Sequence, residues 1–308
     1  METSGKHAAS PPFVSHRTAP AAMRQRSQAA ALASRPDPSE SPRMIGGGLA
    51  DGVFVLSHTA RISDTGLRGR LSLRALCELL QESAALHATL LGVGADVLGP
   101  RGLAWVLVQW SVLIEACPAW RETILVETWP SGLTERTAIR DFLLKGAHGA
   151  VVARATSHWV MLDLLRRRPV RMPETVRAIP VALRPRALDE DLLKLAAPEA
   201  PAHVAEFGVR FADLDVNAHV NNLAYVDWIA ESVPREILRG ADLRRLDLSF
   251  RAETRDGVTV RVECEPDGAG ATDAGTVFRH RIVETASGRE LARARTAFSA
   301  GQKRGDLH

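Results

Sequence analysis

One order of predicted secondary-structure elements occurs twice in this chain of 308 residues. Residues 71–91 place Leu73, Leu76 and Leu80 on one face, as the 3.6-residue period of a buried amphipathic helix requires. Strand-like runs follow, and after a proline-rich segment a second helix is predicted at 221–236. Strands are predicted at 103–115, 123–129, 136–145 and 151–164 in the first half, and at 243–253, 258–265, 276–284 and 291–299 in the second. A helix followed by an antiparallel meander indicates the α+β class.

Short similarities between the two halves indicate a duplicated unit. LLQES resembles WIAES at an offset of 149 residues, RETILV resembles RDGVTV at 134, and ARATSHW resembles ARARTAF at 139. Each pair alone is weak, because short apolar strands resemble one another by chance. Three pairs in the same order favour duplication over coincidence.

Changes in composition predict the domain boundaries. Residues 1–48 are rich in Ala, Ser, Pro and Arg, lack hydrophobic periodicity and end in glycines, so we expect a disordered leader. Its composition suits an organelle transit peptide, and an over-extended start codon ahead of Met44 explains it equally well. We interpret the rest as an N-terminal unit at 49–172, a linker at 173–202, a C-terminal unit at 203–300 and a tail at 301–308.

Charge, cysteine content and hydropathy exclude several classes of protein. Residues 1–45 carry six Lys and Arg against three acidic residues, which leaves 33 basic and 33 acidic residues in the rest of the chain. This balance argues against a nucleic-acid-binding protein with a broad basic face. Three distant cysteines provide neither a disulfide framework nor a CxxC metal site, and no apolar run reaches the roughly 18 residues of a membrane span. We expect a soluble cytoplasmic protein, or one of the plastid stroma if the leader is a transit peptide.

Polar residues are concentrated just before the second helix, in the segment RFADLDVNAHVNNLAYVDWIAES at 210–232. Asp and Asn residues commonly form turns and cap helices, and this purely structural role explains one turn and one cap in the segment. It leaves Asn217, His219 and Asn222 without a role. The D-x-N-x-H spacing places Asp215, Asn217 and His219 on one side of an extended segment that enters a helix. The free N–H groups of a helix N-terminus stabilise developing negative charge, such as that on a thioester oxygen under attack.

The string DLDVNAHVNN resembles the active-site motif of the plant plastid and bacterial acyl-ACP thioesterases, which carry a nearly identical D-L-D-x-N-x-H-V-N-N string. Further similarity extends from about residue 51 to 299 and includes LQE followed by a His, RGLAWVLV, WVMLDLLRRRP and LSFRAE. The resemblance implies a tandem (double) hot-dog fold, in which an antiparallel sheet wraps around each long helix. It also implies hydrolysis of fatty acyl-acyl carrier protein to free fatty acid and holo-carrier, the termination step of fatty acid biosynthesis.

The resemblance implies a catalytic set of Asp215, Asn217, His219 and Glu253. Family members often have Cys directly after the Glu, whereas this sequence has Thr254, whose hydroxyl is a poor substitute for a thiolate. We therefore expect direct attack by water, with Glu253 as general base and Asn217 holding the water. Asp215 would orient Asn217 or His219, and His219 would assist the thioester or the departing thiolate. Which carboxylate is the base stays open, and no cofactor or metal is implied.

The first half has no catalytic groups at the corresponding positions. The offsets of 149 and 134 place Gly66, Arg68, Arg70 and Ala119 opposite Asp215, Asn217, His219 and Glu253. We therefore expect one active site per chain, with the first unit shaping the acyl pocket.

The densest basic run of the expected folded region consists of Arg166, Arg167, Arg168 and Arg171. It is either a solvated face or a docking site for an acidic acyl carrier protein or for the phosphates of its pantetheine arm or of coenzyme A. The sequence alone does not decide between them.

Three other functions stay under consideration. Smaller hot-dog acyl-CoA thioesterases carry a related motif, but the duplicated length and LSFRAE favour the carrier-protein family. A hot-dog dehydratase is disfavoured by Asn217 and by the lack of a catalytic His in the first half. A non-catalytic acyl-carrier binding module is disfavoured because all four catalytic positions are filled. Acyl chain length and homodimer formation stay open.

Overall fold

The computed structural model describes residues 47–268 and 275–299, with the backbone alone for 47–50. Its α-helices are α1 (Leu73–Leu90), α2 (Ala95–Leu98), α3 (Glu174–Arg177), α4 (Asn222–Ser232) and α5 (Arg235–Gly240). Its strands are β1 (Gly47–Ala50), β2 (Val53–Thr59), β3 (Leu103–Ile114), β4 (Thr123–Leu133), β5 (Thr137–Lys145), β6 (Val151–Asp163), β7 (Arg168–Val170), β8 (His203–Gly208), β9 (Leu243–Phe250), β10 (Thr259–Pro266), β11 (Gly275–Glu284) and β12 (Glu290–Ser299). Within this part of the chain, no helix is both long enough and apolar enough to cross a bilayer.

The strands form a single sheet that runs through both halves of the chain. Its order is β1-β2-β4-β5-β6-β3-β9-β12-β11-β10-β8, with β7 added beside β6. Every pairing is antiparallel. The halves meet where β3 pairs with β9, with Trp110 opposite Leu248. The repeat therefore extends one sheet instead of forming two separate ones.

Helix α1 packs its apolar face against this sheet. The helix begins after Ser72, whose hydroxyl accepts a hydrogen bond from the backbone N–H of Ala75 at 3.1 Å, a standard N-cap. Leu76 and Leu80 are buried, and removing a leucine side chain from water stabilises a fold by about 1.5–3 kcal/mol. One hydrophobic cluster contains residues of α1, of α4 and of strands from both halves. The predicted helix at 71–91, the α+β class and the tandem hot-dog fold are confirmed.

The second helix is shorter than predicted. Asn221 caps α4 by accepting a hydrogen bond from the backbone N–H of Leu223 at 3.0 Å. The helix ends at Ser232 because Pro234 has no N–H to donate and clashes with the preceding helical turn. Helix α5 then starts at Arg235 as a separate element. The prediction of one helix across 221–236 was wrong in its last turn.

The eight predicted strands are present, and the largest differences lie at strand ends. Strand β4 continues past Pro130 to Leu133, with a register shift between Pro130 and Gly132. Strand β9 ends at Phe250, three residues before the predicted end at 253. Strands β1, β2, β7 and β8 were not predicted, and β1 includes two glycines assigned to the leader. Residues 1–46, the rest of that leader, and the tail at 301–308 lie outside the described residues.

The turn that precedes each long helix has the same structure in both halves. A buried aspartate, Asp64 or Asp213, accepts a hydrogen bond at 2.8 Å from the backbone N–H three residues earlier. An isolated antiparallel bridge follows, and the bridged pairs are Thr65–Leu71 and Leu214–Val220. Both bridges and both aspartates are related by an offset of 149 residues, so the duplication predicted from sequence is confirmed here.

Candidate active site

Three of the four predicted catalytic residues lie in the loop between Asp213 and helix α4. The loop is closed by hydrogen bonds from Asp215 N to the carbonyl of His219 (2.7 Å) and from Ala218 N to the carbonyl of Asp215 (3.0 Å). Asn221 N donates to the carbonyl of Asp213 at 2.8 Å, which anchors the loop to the buried turn. Ala218 has a φ of 57°, a left-handed conformation that is costly for a residue with a Cβ atom.

Asp215 organises the side chains of this loop. Its Oδ1 accepts hydrogen bonds from the backbone N–H of Asn217 (2.8 Å) and of His219 (3.2 Å). The side-chain Nδ2 of Asn217 lies 3.5 Å from Asp215 Oδ2, at the long limit for a hydrogen bond. The carboxylate thus orients the Asn217 amide and the backbone of His219 at the same time.

Glu253 approaches the loop from the segment that follows β9. The backbone N–H of Val220 donates to the carbonyl of Thr254 at 3.0 Å, which fixes this segment beside the loop. Oε2 of Glu253 lies 3.2 Å from Nε2 of His219. The structure therefore brings Asp215, His219 and Glu253 together, with Glu253 on an irregular segment and not on a strand.

The surroundings of His219 favour its neutral form. Partial burial lowers the pKa of the imidazole below its ordinary value, and the positive charges of Arg255 and Arg167 lower the pKa further. The negative charge of Asp215 opposes this effect but does not reverse it. Because neutral imidazole has one free lone pair, His219 can accept a proton near pH 7.

Arg167, predicted as part of a docking cluster, lies beside Glu253 in the candidate site. Its guanidinium contacts Oε1 of Glu253, while the other oxygen of that carboxylate faces His219. Arg289 donates a hydrogen bond to the backbone carbonyl of Glu253 at 3.1 Å. The glutamate is thus held through both its backbone and its carboxylate.

The other three predicted docking arginines lie at the surface next to Arg167. Arg166 is 4.0 Å from Asp163, and Arg171 is 3.6 Å from Glu135. Arg168 begins strand β7 and is exposed. Ion pairs this long and this exposed contribute little free energy, so these side chains can exchange partners readily.

A cavity of about 590 Å³ borders the loop that contains Asp215 and Asn217. Most of its wall is apolar and includes Ala84, Ala88, Val93, Trp105, Leu133, Trp159, Ile179 and Leu214. Asp215 and Asn217 also form part of the wall, whereas His219 and Glu253 are not among the described residues that line it. The volume is within the usual range of small-molecule pockets, and the apolar wall suits an acyl chain.

The hydroxyl of Thr254 and the thiol of Cys264 are poorly placed to act as nucleophiles. Thr254 is buried, and its Oγ1 makes no hydrogen bond to any described residue, so no base activates it. Cys264 is buried too, and burial raises the pKa of its thiol to about 12. Neither of these two side chains is therefore placed to act as the nucleophile.

The first-half equivalent of Glu253 is Cys117, and the prediction of Ala119 was wrong. Leu71 N donates to the carbonyl of Pro118 just as Val220 N donates to that of Thr254. The offset here is 254 − 118 = 136 residues, two more than the sequence similarity indicated. The next hydrogen bonds, from Ala60 N to the carbonyl of Glu122 and from Val209 N to the carbonyl of Val258, have the same offset, so the similarity of RETILV to RDGVTV is out of register by two.

The other first-half equivalents have structural contacts. Arg68 lies 2.7 Å from the carboxylate of Asp242 and donates to the carbonyl of Ala241 at 3.0 Å. Arg70 donates to the carbonyl of Cys117 at 3.0 Å. None of these contacts forms an acid–base pair like that of the second half.

Two cavity residues were not singled out as site residues from the sequence. Gln81 lines the cavity, and its Oε1 accepts a hydrogen bond from Nδ2 of Asn222 at 3.4 Å. Arg140 also lines the cavity and is 2.9 Å from Nδ1 of His87 and 3.2 Å from Thr128 Oγ1. Gln81 is followed by Glu82 and Ser83, and Arg140 by Asp141, so neither residue stood out from its polar neighbours in the sequence.

Comparison with protein families matches both halves of the chain. Residues 52–179 match the family described as the acyl-ACP thioesterase N-terminal domain, and residues 197–300 match the acyl-ACP thioesterase C-terminal domain. The chain is 32% identical over 284 residues to palmitoyl-acyl carrier protein thioesterase, chloroplastic, of Gossypium hirsutum, covering 86% of this chain and 68% of that protein. It is 31% identical over 263 residues to dodecanoyl-[acyl-carrier-protein] hydrolase, chloroplastic, of Cinnamomum camphora, covering 80% and 67%.

Solved structures give the same result. The 12:0-ACP thioesterase from Umbellularia californica superposes with a TM-score of 0.73 at 27% identity, covering 83% of this chain and all of that one. An acyl-ACP thioesterase from Bacteroides thetaiotaomicron superposes with a TM-score of 0.71 at 22% identity, covering 80% of this chain and 98% of that one, which supports the fold alone. The chain therefore belongs to the acyl-ACP thioesterase family and is a thioester hydrolase.

Proposed function

We propose that the loop at Asp215–His219 and Glu253 hydrolyse the thioester of fatty acyl-acyl carrier protein, releasing free fatty acid and holo-carrier. The observation that carries this proposal is the 3.2 Å contact between His219 Nε2 and Glu253 Oε2, beside a loop that also borders the apolar cavity. An acid–base pair next to an acyl-sized cavity provides the two parts that thioester hydrolysis requires.

The chemical step is attack by water on the thioester carbonyl carbon. Glu253 takes the proton from the water, and the Asn217 amide, oriented by Asp215, holds the water or the carbonyl. His219, which is neutral at rest, accepts that proton from Glu253 across their 3.2 Å contact and passes a proton to the thiolate sulfur as the C–S bond breaks. The backbone N–H groups at the start of α4 stabilise the oxyanion.

The acyl chain occupies the cavity, and the first half supplies most of its wall. Residues of α1 and of strands β3 to β6 outnumber those of the catalytic loop in that wall. This division of roles assigns the acyl pocket to the N-terminal unit at 49–172 and the chemistry to the C-terminal unit at 203–300. Relatives are named for palmitoyl, dodecanoyl and oleoyl groups.

The carrier protein docks on the exposed arginines Arg166, Arg168 and Arg171. They lie next to Arg167 in sequence, and Arg167 contacts Glu253, so a carrier held there is close to the reacting carbonyl. Clustered guanidinium groups suit an acidic protein surface and the phosphate of a pantetheine arm.

The test is release of free thiol by the purified protein from acyl-ACPs and acyl-CoAs of graded chain length. We expect thiol release from acyl-ACP at a higher kcat/KM than from the matching acyl-CoA, and loss of release in His219→Ala. A higher kcat/KM with acyl-CoA would assign the chain to acyl-CoA hydrolysis. No thiol release from either substrate would overturn the proposed function.

A further inference from the structure

The turn that carries Arg167 has a defined geometry. Asp163 Oδ1 accepts hydrogen bonds from the backbone N–H of Leu165 (3.0 Å) and of Arg166 (2.8 Å), and Asp163 pairs with Arg168 in the ladder of β6 and β7. Arg167 has a φ of 51° in this tight connection. Such a conformation is costly for a non-glycine residue, and apart from the contact of Arg167 with Glu253, the turn itself is held by the two hydrogen bonds to Asp163.

The two oxygens of the Glu253 carboxylate contact different partners. Oε1 contacts the guanidinium of Arg167 and Oε2 contacts His219 Nε2. The carboxylate side chain is 41% exposed and belongs to an irregular segment, so packing alone does not fix its rotamer. The Arg289 contact holds only the backbone carbonyl. Among the described residues, Arg167 is therefore the group that sets which oxygen faces His219.

We propose that Arg167 is a positioning residue for catalysis, which holds Glu253 so that its second oxygen faces His219. This inference rests on the proposed function and differs from carrier docking, the role that the sequence indicated for Arg167. Docking acts through the carrier protein, whereas positioning acts on hydrolysis of any thioester that reaches the site.

The positioning role has a second consequence for His219. The charged groups around its ring are Asp215, Glu253, Arg167 and Arg255. Arg167 is one of the causes that lower the pKa of His219. Removing the guanidinium deletes a positive neighbour and leaves the negative Glu253 uncompensated, so the pKa of His219 should rise.

The experiment compares Arg167→Gln with Arg166→Gln, a change in the proposed docking cluster that should affect hydrolysis of acyl-ACP but not of a small acyl-CoA. Because misplacing a catalytic group by about 1 Å can cost on the order of 100-fold in rate, we expect Arg167→Gln to lower kcat by roughly 10- to 100-fold on both substrates with little change in KM. The acid limb of its pH–rate profile should move to higher pH. Arg167→Lys, which keeps the charge but not the forked donors, should recover part of the rate.

NMR titration of His219 in the same variants separates this inference from the proposed function. We expect the pKa of His219 to be higher in Arg167→Gln than in wild type and unchanged in Arg166→Gln, whether or not the protein hydrolyses either substrate. A loss confined to acyl-ACP with an unchanged His219 titration would assign Arg167 to docking and overturn the positioning role. If wild type hydrolyses neither substrate but the His219 titrations are as expected, the proposed function is rejected. The contact of Arg167 with the Glu253–His219 pair is then still supported.

Discussion

The two turns at 61–72 and 210–221 have the same backbone structure but different side chains inside the bridge. Each contains a buried aspartate that binds the chain three residues earlier, a short antiparallel bridge and a capped helix start. In the first turn the five residues inside the bridge are GLRGR, and in the second they are DVNAH. The fold depends on the elements outside those five positions, so the side chains within them are free to carry a catalytic function.

The same contrast appears where the following segment meets each turn. In the first half, Cys117 occupies the position of Glu253, and burial raises the pKa of its thiol. In the second half, Glu253 presents a carboxylate to His219. The first half thus has a partly buried thiol at the position where the second half has a carboxylate beside a histidine.

Changing Asp215 should give one of the two largest effects. Asp215→Asn keeps an oxygen that can accept the hydrogen bonds from Asn217 N and His219 N, but removes the negative charge. We expect kcat on acyl-ACP to fall by about 10²- to 10⁴-fold, the usual range for a lost acid–base arrangement. The matched control is Gly66→Ala in the first turn, where the added Cβ meets only Ser72 Cβ at 3.9 Å. Equal losses of kcat in Asp215→Asn and Gly66→Ala would contradict the difference in function between the two turns.

A smaller effect is the loss of stability of each half as the pH falls. His87 in the first half and His280 in the second are fully buried, and burial lowers the pKa of each to about 3. Below about pH 6.5 the unfolded chain binds protons at both residues while the folded chain does not, so stability falls as pH falls. Between pH 7 and pH 5 the free energy of unfolding should drop by roughly 2 kcal/mol per histidine.

Urea unfolding of wild type and His280→Asn at pH 7 and pH 5 measures how much of this loss of stability comes from His280. His280 lies 3.1 Å from Ser232 Oγ and 2.9 Å from Thr296 Oγ1, and asparagine can retain part of this hydrogen bonding. The variant should show a smaller pH-dependent loss than wild type. An identical loss in both proteins would mean that His280 is not held neutral.

The smallest effect concerns the left-handed residue of each turn. Gly69 in the first turn has a φ of 65° and open space where a Cβ atom would lie, and Ala218 in the second has a φ of 57°. Since this conformation costs an L-residue about 1–2 kcal/mol, Gly69→Ala should lower the free energy of unfolding and Ala218→Gly should raise it. Chemical denaturation of both variants measures the two changes, and shifts of the same sign would show that the turns are not equivalent.

Local patterns in the sequence predicted the elements that have a periodic buried face. The leucine spacing of α1 and the apolar strands around Trp110 could be read directly, because a buried face leaves a periodic trace. Strand β8 was missed because its side chains are largely exposed, so no such trace exists. The break at Pro234 was readable but was overridden by the apolar pattern on either side.

The catalytic loop could be predicted because Asp215, Asn217 and His219 are neighbours in sequence. The Arg167 contact could not, since it joins residues 86 positions apart through a tight turn whose left-handed backbone leaves no pattern. The correspondence of Glu253 with Cys117 also required coordinates, because hydrogen bonds rather than letters define it.

The central claim is that the chain has one catalytic carboxylate after a central strand, at Glu253 and not at its first-half counterpart. The most direct measurement is the turnover of acyl-ACP by Glu253→Gln beside Cys117→Ser, with thermal unfolding of both to show that the fold is retained. We expect kcat to fall by about 10²- to 10⁴-fold in Glu253→Gln and to stay near wild type in Cys117→Ser. Wild-type turnover by folded Glu253→Gln would contradict the account.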